Sequence, residues 1–288
     1  MLAEIGQLVL NGVIAGTVLA VPAIGFTAIY GVLRFPNFTV ASHATIGAFA
    51  GYVANVFFGL PAYLAVTLAF LVAGISGAVT DEILLKPLRK TGPLTTAIAS
   101  VALVIVLENI VRFFFGNDLR GYDLPIARDW RFWELRIGPQ QIENMVIALI
   151  AMGLLFGFLS ATRMGKAMRA VADNPMLAGI KGINADTIGR LVSFIGMGLA
   201  GLGGMLIGLD TSIDPLTGFR AILPIFAAAV VGGLGSIPGA VVGAITVGVG
   251  EEFSILILGP EYRSVFGFFA ILLVLLVRPR GILGERAF

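Results

Sequence analysis

The chain has 288 residues, of which 58% are hydrophobic and only 12% are charged, and its formal net charge is +2. Soluble domains average roughly 45–50% apolar and about 25% charged residues, so this composition excludes an ordinary soluble protein. The absence of cysteine excludes disulfides and thiolate catalysis, and a single histidine, His43, excludes a multi-histidine metal site. The basic residues fall between apolar runs, which indicates membrane orientation rather than nucleic-acid binding.

Apolar runs of about 20 residues, enough to cross a lipid bilayer as a helix, recur along the whole chain. We therefore predict an all-α polytopic membrane protein that forms a single transmembrane domain over 1–288, with about eight to ten spanning helices. In chain order, the predicted spans are 6–32, 38–58, 61–85, 94–115, 141–161, 187–209, 219–236, 238–258 and 263–278. Glycine and proline interrupt 38–58 and 219–258, which indicates broken helices.

The orientation follows from the basic residues between spans. Lysine and arginine are in excess in 86–90, 162–190 and 278–288. Because basic loops stay on the cytoplasmic side, the sequence predicts the N-terminus outside and the C-terminus inside the inner (plasma) membrane of a bacterial or archaeal cell.

The segment 112–143 is then the longest predicted extracytoplasmic loop. Its basic and acidic residues balance, and it carries Trp130 and Trp133, which suit a membrane interface. Two interpretations stay equally open: a docking surface for an external partner, or an interfacial cap without one.

The segment 162–190 is mixed, basic and partly helical in an otherwise apolar chain. Its pattern predicts a helix over 165–172, a turn at 173–175, and a second short helix over 176–181 that ends at Gly182. Small side chains and a basic flank favour a surface helix that lies in a groove of another protein. A helix lying on anionic lipid is the alternative, but it would be richer in Trp, Phe or Leu.

Catalytic motifs are missing from the sequence. The glycine-rich stretch GGLGSIPG (232–239) lacks the lysine of a phosphate-binding loop, so we interpret it as a turn with close helix packing. His43 beside Ser42 has no acid nearby in sequence to orient it. We therefore predict no catalytic residues, no bound metal or cofactor, and no ATP hydrolysis by this chain.

The segment TRMGKAMRAVADNPMLAGIKGIN (162–184) resembles the cytoplasmic coupling segment of permease subunits in branched-chain amino-acid ABC importers, the LivH/LivM type. Further signatures of that family follow in the same order: IYGVLRFPNF (29–38), TTAIASVALVIVLENIVRFFFG (95–116), GLAGLGGMLIGL (198–209), DPLTGFRAILPIFAAAVVGGLGSIPGAVVG (214–243) and LLVLLVRPRGILG (272–284). The resemblance covers nearly the whole chain and is closer to the LivH half.

The resemblance implies a permease that moves branched-chain or other hydrophobic amino acids, or related small polar solutes, into the cytoplasm. It implies a LivM-like sister permease or a second copy, two cytoplasmic ATPases that carry ATP and Mg, and a periplasmic solute-binding protein. The residues that match the coupling motif, with a mechanical role, are Arg163, Gly165, Arg169, Ala170, Ala172, Asn174, Pro175, Ala178 and Gly182.

The chain departs from that family after Phe38. The family commonly carries an alanine or serine, then histidine, glycine and an acid, where this chain has 39–42 as Thr-Val-Ala-Ser. If this region lines the path, an ammonium group loses a carboxylate partner, which favours an aromatic or dicarboxylic acid, an amide or urea. Neutral drift at a packing position is the alternative. The candidate path residues are Asn37, Thr39, Ser42, His43 and Asp214.

An ion-coupled secondary transporter or channel is the rival function. Such carriers use buried acids on broken helices, which Glu251 and Glu252 could supply. Proline and glycine break the helical pattern in both 21–51 and 214–239, so corresponding breaks in the two halves are also expected. The rival leaves 162–190 without a role.

Overall fold

The computed structural model describes residues 2–124, 130–132, 135–259 and 262–284. Trp133 lies outside these residues. Within them, six helices are long and apolar enough to cross a membrane, and α-helices make up most of the chain. The prediction of an all-α polytopic membrane protein is confirmed.

The helices of the described residues are, in chain order, α1 Leu2–Leu33, α2 Val40–Tyr52, α3 Ala62–Thr80, α4 Lys86–Leu88, α5 Pro93–Phe115, α6 Pro139–Ala161, α7 Arg163–Asp173, α8 Pro175–Ile180, α9 Ala185–Asp210, α10 Thr217–Gly232, α11 Ile237–Leu258 and α12 Arg263–Val277. Wider π-helical turns extend α2 over Val53–Phe57 and α3 over Asp81–Leu85, and a 3₁₀ turn at Arg89–Thr91 follows α4. Strands β1 (Trp130–Phe132) and β2 (Leu135–Ile137) pair antiparallel, with Trp130 opposite Ile137.

Among the described residues, α2 and α10, like the 15-residue α12, are apolar helices too short to cross a bilayer alone. Helix α2 has 13 residues and α10 has 16. At 1.5 Å per residue they extend about 20 and 24 Å, against a hydrocarbon core of about 30 Å. The break predicted in 219–258 is present between α10 and α11, whereas the second predicted span is not interrupted, because α2 continues directly into its π-helical turn. The predicted loop 112–143 is shorter, since α5 continues to Phe115 and α6 begins at Pro139.

Helices α1 and α9 form the centre of the bundle. Helix α1 packs on α9, α10 and α11, and α9 packs on α1, α2 and α3. By contrast, α3, α5, α6 and α12 expose large apolar side chains such as Ile98, Leu154 and Leu276. Apolar surface of this extent is unfavourable in water, so these outer faces meet lipid.

Glycine sets how closely the central helices approach each other. A Cβ on Gly16 of α1 would lie 2.7 Å from the Cα of Ile245 on α11. A Cβ on Gly47 of α2 would lie 2.2 Å from the Cα of Gly201 on α9. Both distances are well below van der Waals contact, so the helices pack backbone to backbone, as small residues allow in membranes.

The two ends of the bundle differ. We call the end that carries Arg34, α4, α7 and α8 the basic end. At the other, here called the far end, the segment 116–124 crosses the bundle. The main chain of Arg120 forms two 2.8 Å hydrogen bonds with Ile213, and the Tyr122 hydroxyl donates to the Ala48 carbonyl at 2.8 Å. Burial raises the pKa of the Tyr122 phenol, so it stays protonated and remains a donor.

Candidate functional site

The segment that connects α6 to α9 at the basic end begins with a tight reversal. Thr162 caps α7 by accepting a hydrogen bond from the Gly165 N–H through its hydroxyl at 2.9 Å. A Cβ on Gly165 would lie 2.4 Å from the Phe158 carbonyl oxygen. Glycine is therefore what allows α7 to lie against the end of α6.

A second cap separates α7 from α8. The Asn174 side chain accepts from the N–H groups of Met176 and Leu177, each at 3.0 Å, and Pro175 occupies the first helical position. Gly182 has φ +82°, the left-handed conformation that commonly follows a helix. The predicted helix, turn and second short helix are thus present.

The exposed face of α8 is apolar. Met176 is 79% exposed, Ile180 76% and Leu177 60%, whereas Ala178 is buried. Gly165 is also buried against this chain's own α6. The sequence predicts small residues on the groove-facing surface; instead, Gly165 and Ala178 face the bundle and larger apolar side chains face outward. The signal for this face was the apolar spacing of 176, 177 and 180 within a polar stretch.

The remaining residues of the predicted coupling motif lie around that face. Arg163 and Arg169 are exposed on α7, and Ala170 is half-buried. The Ala172 carbonyl accepts a hydrogen bond from the guanidinium of Arg34, a residue with φ +58° that directly follows α1. Arg34, which is not among the residues predicted from the sequence, joins α7 to the break between α1 and α2.

Ion pairs join α3 to the start of α9 at the same end. Arg190 donates to Glu82 at 2.9 and 3.1 Å. Lys86 lies 2.8 Å from Glu82 and 3.2 Å from Asp186. Asp81, almost fully buried, pairs with Arg89. The basic residues of α4 and its 3₁₀ turn therefore hold the bundle end together.

The polar residues predicted to line the path lie together, but in the packed interior. Asn37, Thr39, Ser42 and His43 are all buried. The Asn37 side-chain oxygen accepts from the Thr39 hydroxyl at 2.7 Å, and the His43 Nδ1 lies 2.7 Å from the Thr39 carbonyl oxygen. The second bond satisfies a backbone carbonyl where α2 begins inside the bundle, whereas the buried Asn37 Nδ2 and His43 Nε2 have no hydrogen-bond partner among the described residues. None of the four residues lines the cavity described below.

The departure at 39–42 has a packing explanation. The N–H of Gly218, in the first turn of α10, donates to the Thr45 hydroxyl at 2.9 Å. A Cβ on Gly218 would lie 1.8 Å from the Ala41 carbonyl oxygen. Because α10 crosses α2 at this point, small residues are needed there. This geometry favours the packing interpretation of the departure.

A cavity of about 570 Å³ opens among α1, α6, α9, α10 and α11 at the far end. Its polar lining residues are Asn11, Gln141, Asn144, Asp210, Thr211, Ser212, Thr217, Arg220, Glu251 and Glu252. Asp214 lies beside it and pairs with Arg220. The volume is that of a small-molecule site. The sequence indicates Glu251 and Glu252 as candidates for an ion-coupled carrier but does not indicate Arg220, because this lining combines residues far apart in the chain.

The sequence is similar to known transport proteins along nearly its full length. The profile of the family described as branched-chain amino acid transport system permease component matches residues 8–276. The chain is 33% identical to the high-affinity branched-chain amino acid transport system permease protein LivH of Salmonella typhimurium, with 97% of this chain and 95% of that protein covered. It is 32% identical to BraD of Pseudomonas aeruginosa, with the same coverage.

A more distant relative is similar over nearly its full length, and one solved structure has a similar fold. The probable LivH permease of Methanocaldococcus jannaschii is 30% identical, with 99% of this chain and 95% of that protein covered. The structure of PsaBC from Streptococcus pneumoniae in complex with Fab has a similar fold, with a TM-score of 0.52, 15% identity and 97% of each chain covered. This chain belongs to the family of permease components of branched-chain amino acid transport systems.

Proposed function

We propose that this chain is the translocation subunit of an ATP-driven importer, and that α7 and α8 form the surface on which a separate ATPase subunit docks. The observation that carries the proposal is the exposed face of Met176, Leu177 and Ile180 on α8. Three large apolar side chains at the tip of a polar segment are unfavourable in water unless a partner covers them.

A protein partner explains this face better than a lipid surface does. Interfacial helices carry aromatic or leucine-rich faces and lie flat on the membrane. Helix α8 has only six residues and no aromatic side chain. It is held by the Asn174 cap and by burial of Ala178, so the chain itself fixes its position. A short preformed helix of this kind suits a groove in a partner protein.

The basic end would face the cytoplasm. Exposed basic side chains lie there at Arg163, Lys166, Arg169 and Lys181, and Arg278 follows α12. Basic loops are retained on the cytoplasmic side, which supports an inner-membrane protein with its N-terminus outside and C-terminus inside. The far end and its cavity then face outward.

The cargo and partners follow from the family. The relatives carry names for high-affinity branched-chain amino acid transport, so we propose branched-chain or other hydrophobic amino acids as the solute. A periplasmic binding protein would deliver the solute to the far end, and a LivM-like sister permease or a second copy would complete the membrane part. ATP and Mg would bind to the ATPases, and this chain would supply no ATPase site.

An ion-coupled carrier is the second candidate, because Glu251 is buried and lines the cavity together with Glu252. The two candidates differ in their energy source. Uptake into vesicles with ATP held constant should continue after ionophores collapse the ion gradients if ATP drives it. Uptake that stops under those conditions would support the ion-coupled carrier.

Co-purification tests the docking surface. The chain is co-expressed with its ATPase and sister-permease candidates and captured through a tag, either as wild type or with Ile180→Glu. We expect this variant to lose the ATPase while it retains the sister permease, because it places a charge in an apolar contact. The control is Thr91→Glu, an exposed position at the same end outside α7 and α8. Equal ATPase recovery with Ile180→Glu and with wild type would contradict the proposal.

A further inference from the structure

The lining of the far-end cavity changes from polar residues near its mouth to apolar residues in the interior. On α1, Asn11 lies nearer the far end, whereas Ile14 and Val18 lie deeper. On α9, Asp210 lies at the far end, and Leu206 lies one turn deeper. Two helices that run in opposite directions thus both place the polar group near the mouth and the apolar group in the interior.

Helices α10 and α11 repeat the gradient. On α10, Thr217 and Arg220 precede the deeper Ala221 and Pro224. On α11, the acids Glu251 and Glu252 lie beyond Gly248, toward the far end. The cavity therefore offers charges of both signs in one layer and an apolar pocket beneath it.

We propose that this cavity binds an α-amino acid as its zwitterion, with the charged head in the outer layer and an apolar side chain in the deeper pocket. The carboxylates of Asp210, Glu251 and Glu252 would receive the ammonium group, and Arg220 and the Thr217 hydroxyl would receive the carboxylate. This inference rests on the proposed import function and specifies where the solute sits within this subunit.

The charges of the lining select among solute classes. Three acids face one arginine, which already pairs with Asp214, so a dicarboxylate meets net repulsion. Urea would leave the deeper apolar wall uncovered. A zwitterion can pair its ammonium group with the acids and its carboxylate with the arginine. Each carboxylate offers about four acceptor sites and arginine offers five donors. An ammonium group can thus bind these acids alongside the contacts they already make.

Burial strengthens the polar groups of the cavity lining. Glu251 is only 5% exposed although it lines the cavity, and Asn144 is 1% exposed, with its side chain held by the Leu206 carbonyl at 3.1 Å. Polar groups in such a low-dielectric setting interact more strongly with a charged ligand than surface groups do. Asn144 is also held in place before the ligand arrives, which lowers the entropic cost of binding.

A thiol-protection experiment tests this directly, because the chain has no native cysteine. Ala15→Cys places one thiol in the cavity, on α1, and Asn117→Cys places one at the far end outside it. The purified importer complex in nanodiscs is labelled with a small maleimide, with or without a solute. The solutes are leucine, leucinamide without the carboxylate, 4-methylpentanoate without the ammonium, glutarate and urea.

We expect leucine alone to slow labelling at position 15 and no solute to affect position 117. Adding Glu251→Gln or Arg220→Gln to Ala15→Cys should raise the half-protecting leucine concentration about tenfold or more, as expected for losing a charge-assisted hydrogen bond. Glu108→Gln, which alters a far-end ion pair with Arg112 outside the cavity, should not.

Protection by glutarate or urea instead of leucine would overturn the inference, and so would equal protection by leucine and either of its one-charge analogues. A thiol at position 15 that reacts at the same rate with and without every solute would also overturn it. A thiol there that never reacts would also do so, since the cavity would then be closed to solutes. The co-purification of the ATPase with wild type and with Ile180→Glu tests the proposed function separately. A failure of the proposed function can therefore be distinguished from a failure of this inference.

Discussion

The ion pair between Asp81 and Arg89 should be a main determinant of stability at the basic end. The Asp81 side chain is 2% exposed and Arg89 is 23% exposed, and the guanidinium also lies 5.7 Å from the ring centre of Phe35. Asp81→Asn keeps the shape but leaves Arg89 with an uncompensated charge. Breaking one side of a buried pair costs about 3–5 kcal/mol, and the partial exposure of Arg89 places this pair near the lower value.

A thermal shift measured in detergent checks this magnitude. At roughly 2 °C per kcal/mol for a chain of this size, Asp81→Asn should lower Tm by about 6 °C. The control Asp186→Asn removes an exposed partner of Lys86 and should shift Tm little, since exposed ion pairs contribute little. The double variant Asp81→Leu with Arg89→Met should recover most of the loss, because apolar residues can replace a buried pair. A single variant that melts like wild type, or a double variant that melts below the single one, would refute the reasoning.

Three further predictions concern packing and ionisation. Gly165→Ala should destabilise the chain by about 1–3 kcal/mol because its Cβ meets the end of α6, whereas Gly179→Ala, with open space around it, should not, and the two Tm values compare them. Gly47→Ala should also lower Tm, because its Cβ would collide with the backbone of α9 at Gly201. Lipid-facing Gly153→Ala, with nothing within 4 Å of its Cβ, is the control. Burial raises the pKa of Tyr122 above the value of about 10 that an unfolded tyrosine has. The stability of the folded chain should therefore fall as the pH rises above about 10. Denaturation measured at increasing pH should show a smaller loss of stability in Tyr122→Phe, which has no phenol to ionise.

The sequence predicts most of the helices because their signals are local. Apolar runs locate the spans, and Pro139 and Gly116 mark where two of them begin and end. Likewise, Asn174 and Gly182 define α8 through capping preferences that depend only on neighbours in sequence. Such features need no knowledge of the rest of the fold.

Positions that depend on tertiary packing were harder to predict. The direction in which α8 faces is set by the packing of Gly165, in α7, against α6 and by the hydrogen bond from Arg34, 138 residues before Ala172. The burial of residues 39–42 depends on Gly218, which lies 173 residues after Thr45. Polar side chains in a span indicate a functional path by default, but here they lie in the packed interior. Local hydrogen bonds satisfy the Asn37 side-chain oxygen and His43 Nδ1, whereas Asn37 Nδ2 and His43 Nε2 have no partner within the described part of the chain.

Helices α1 and α9 connect the proposed docking surface with the cavity. Helix α9 has 26 residues, about 39 Å, and runs from the ion pairs of Arg190 at the basic end to Asp210 at the cavity. Helix α1 runs from Asn11 in the cavity to Arg34, which holds α7. These helices pack on each other along their length.

A displacement of α7 and α8 would therefore reach the cavity through rigid, closely packed elements rather than through loops. We expect nucleotide binding by the docked ATPases to change the labelling rate of Ala15→Cys, because α1 carries that residue and responds to α7 through Arg34. Arg34→Ala should weaken that response while the ATPases remain bound, since the exposed face of α8 is unchanged. A labelling rate that is the same with and without nucleotide in the wild-type background would show that the two sites are not coupled through α1.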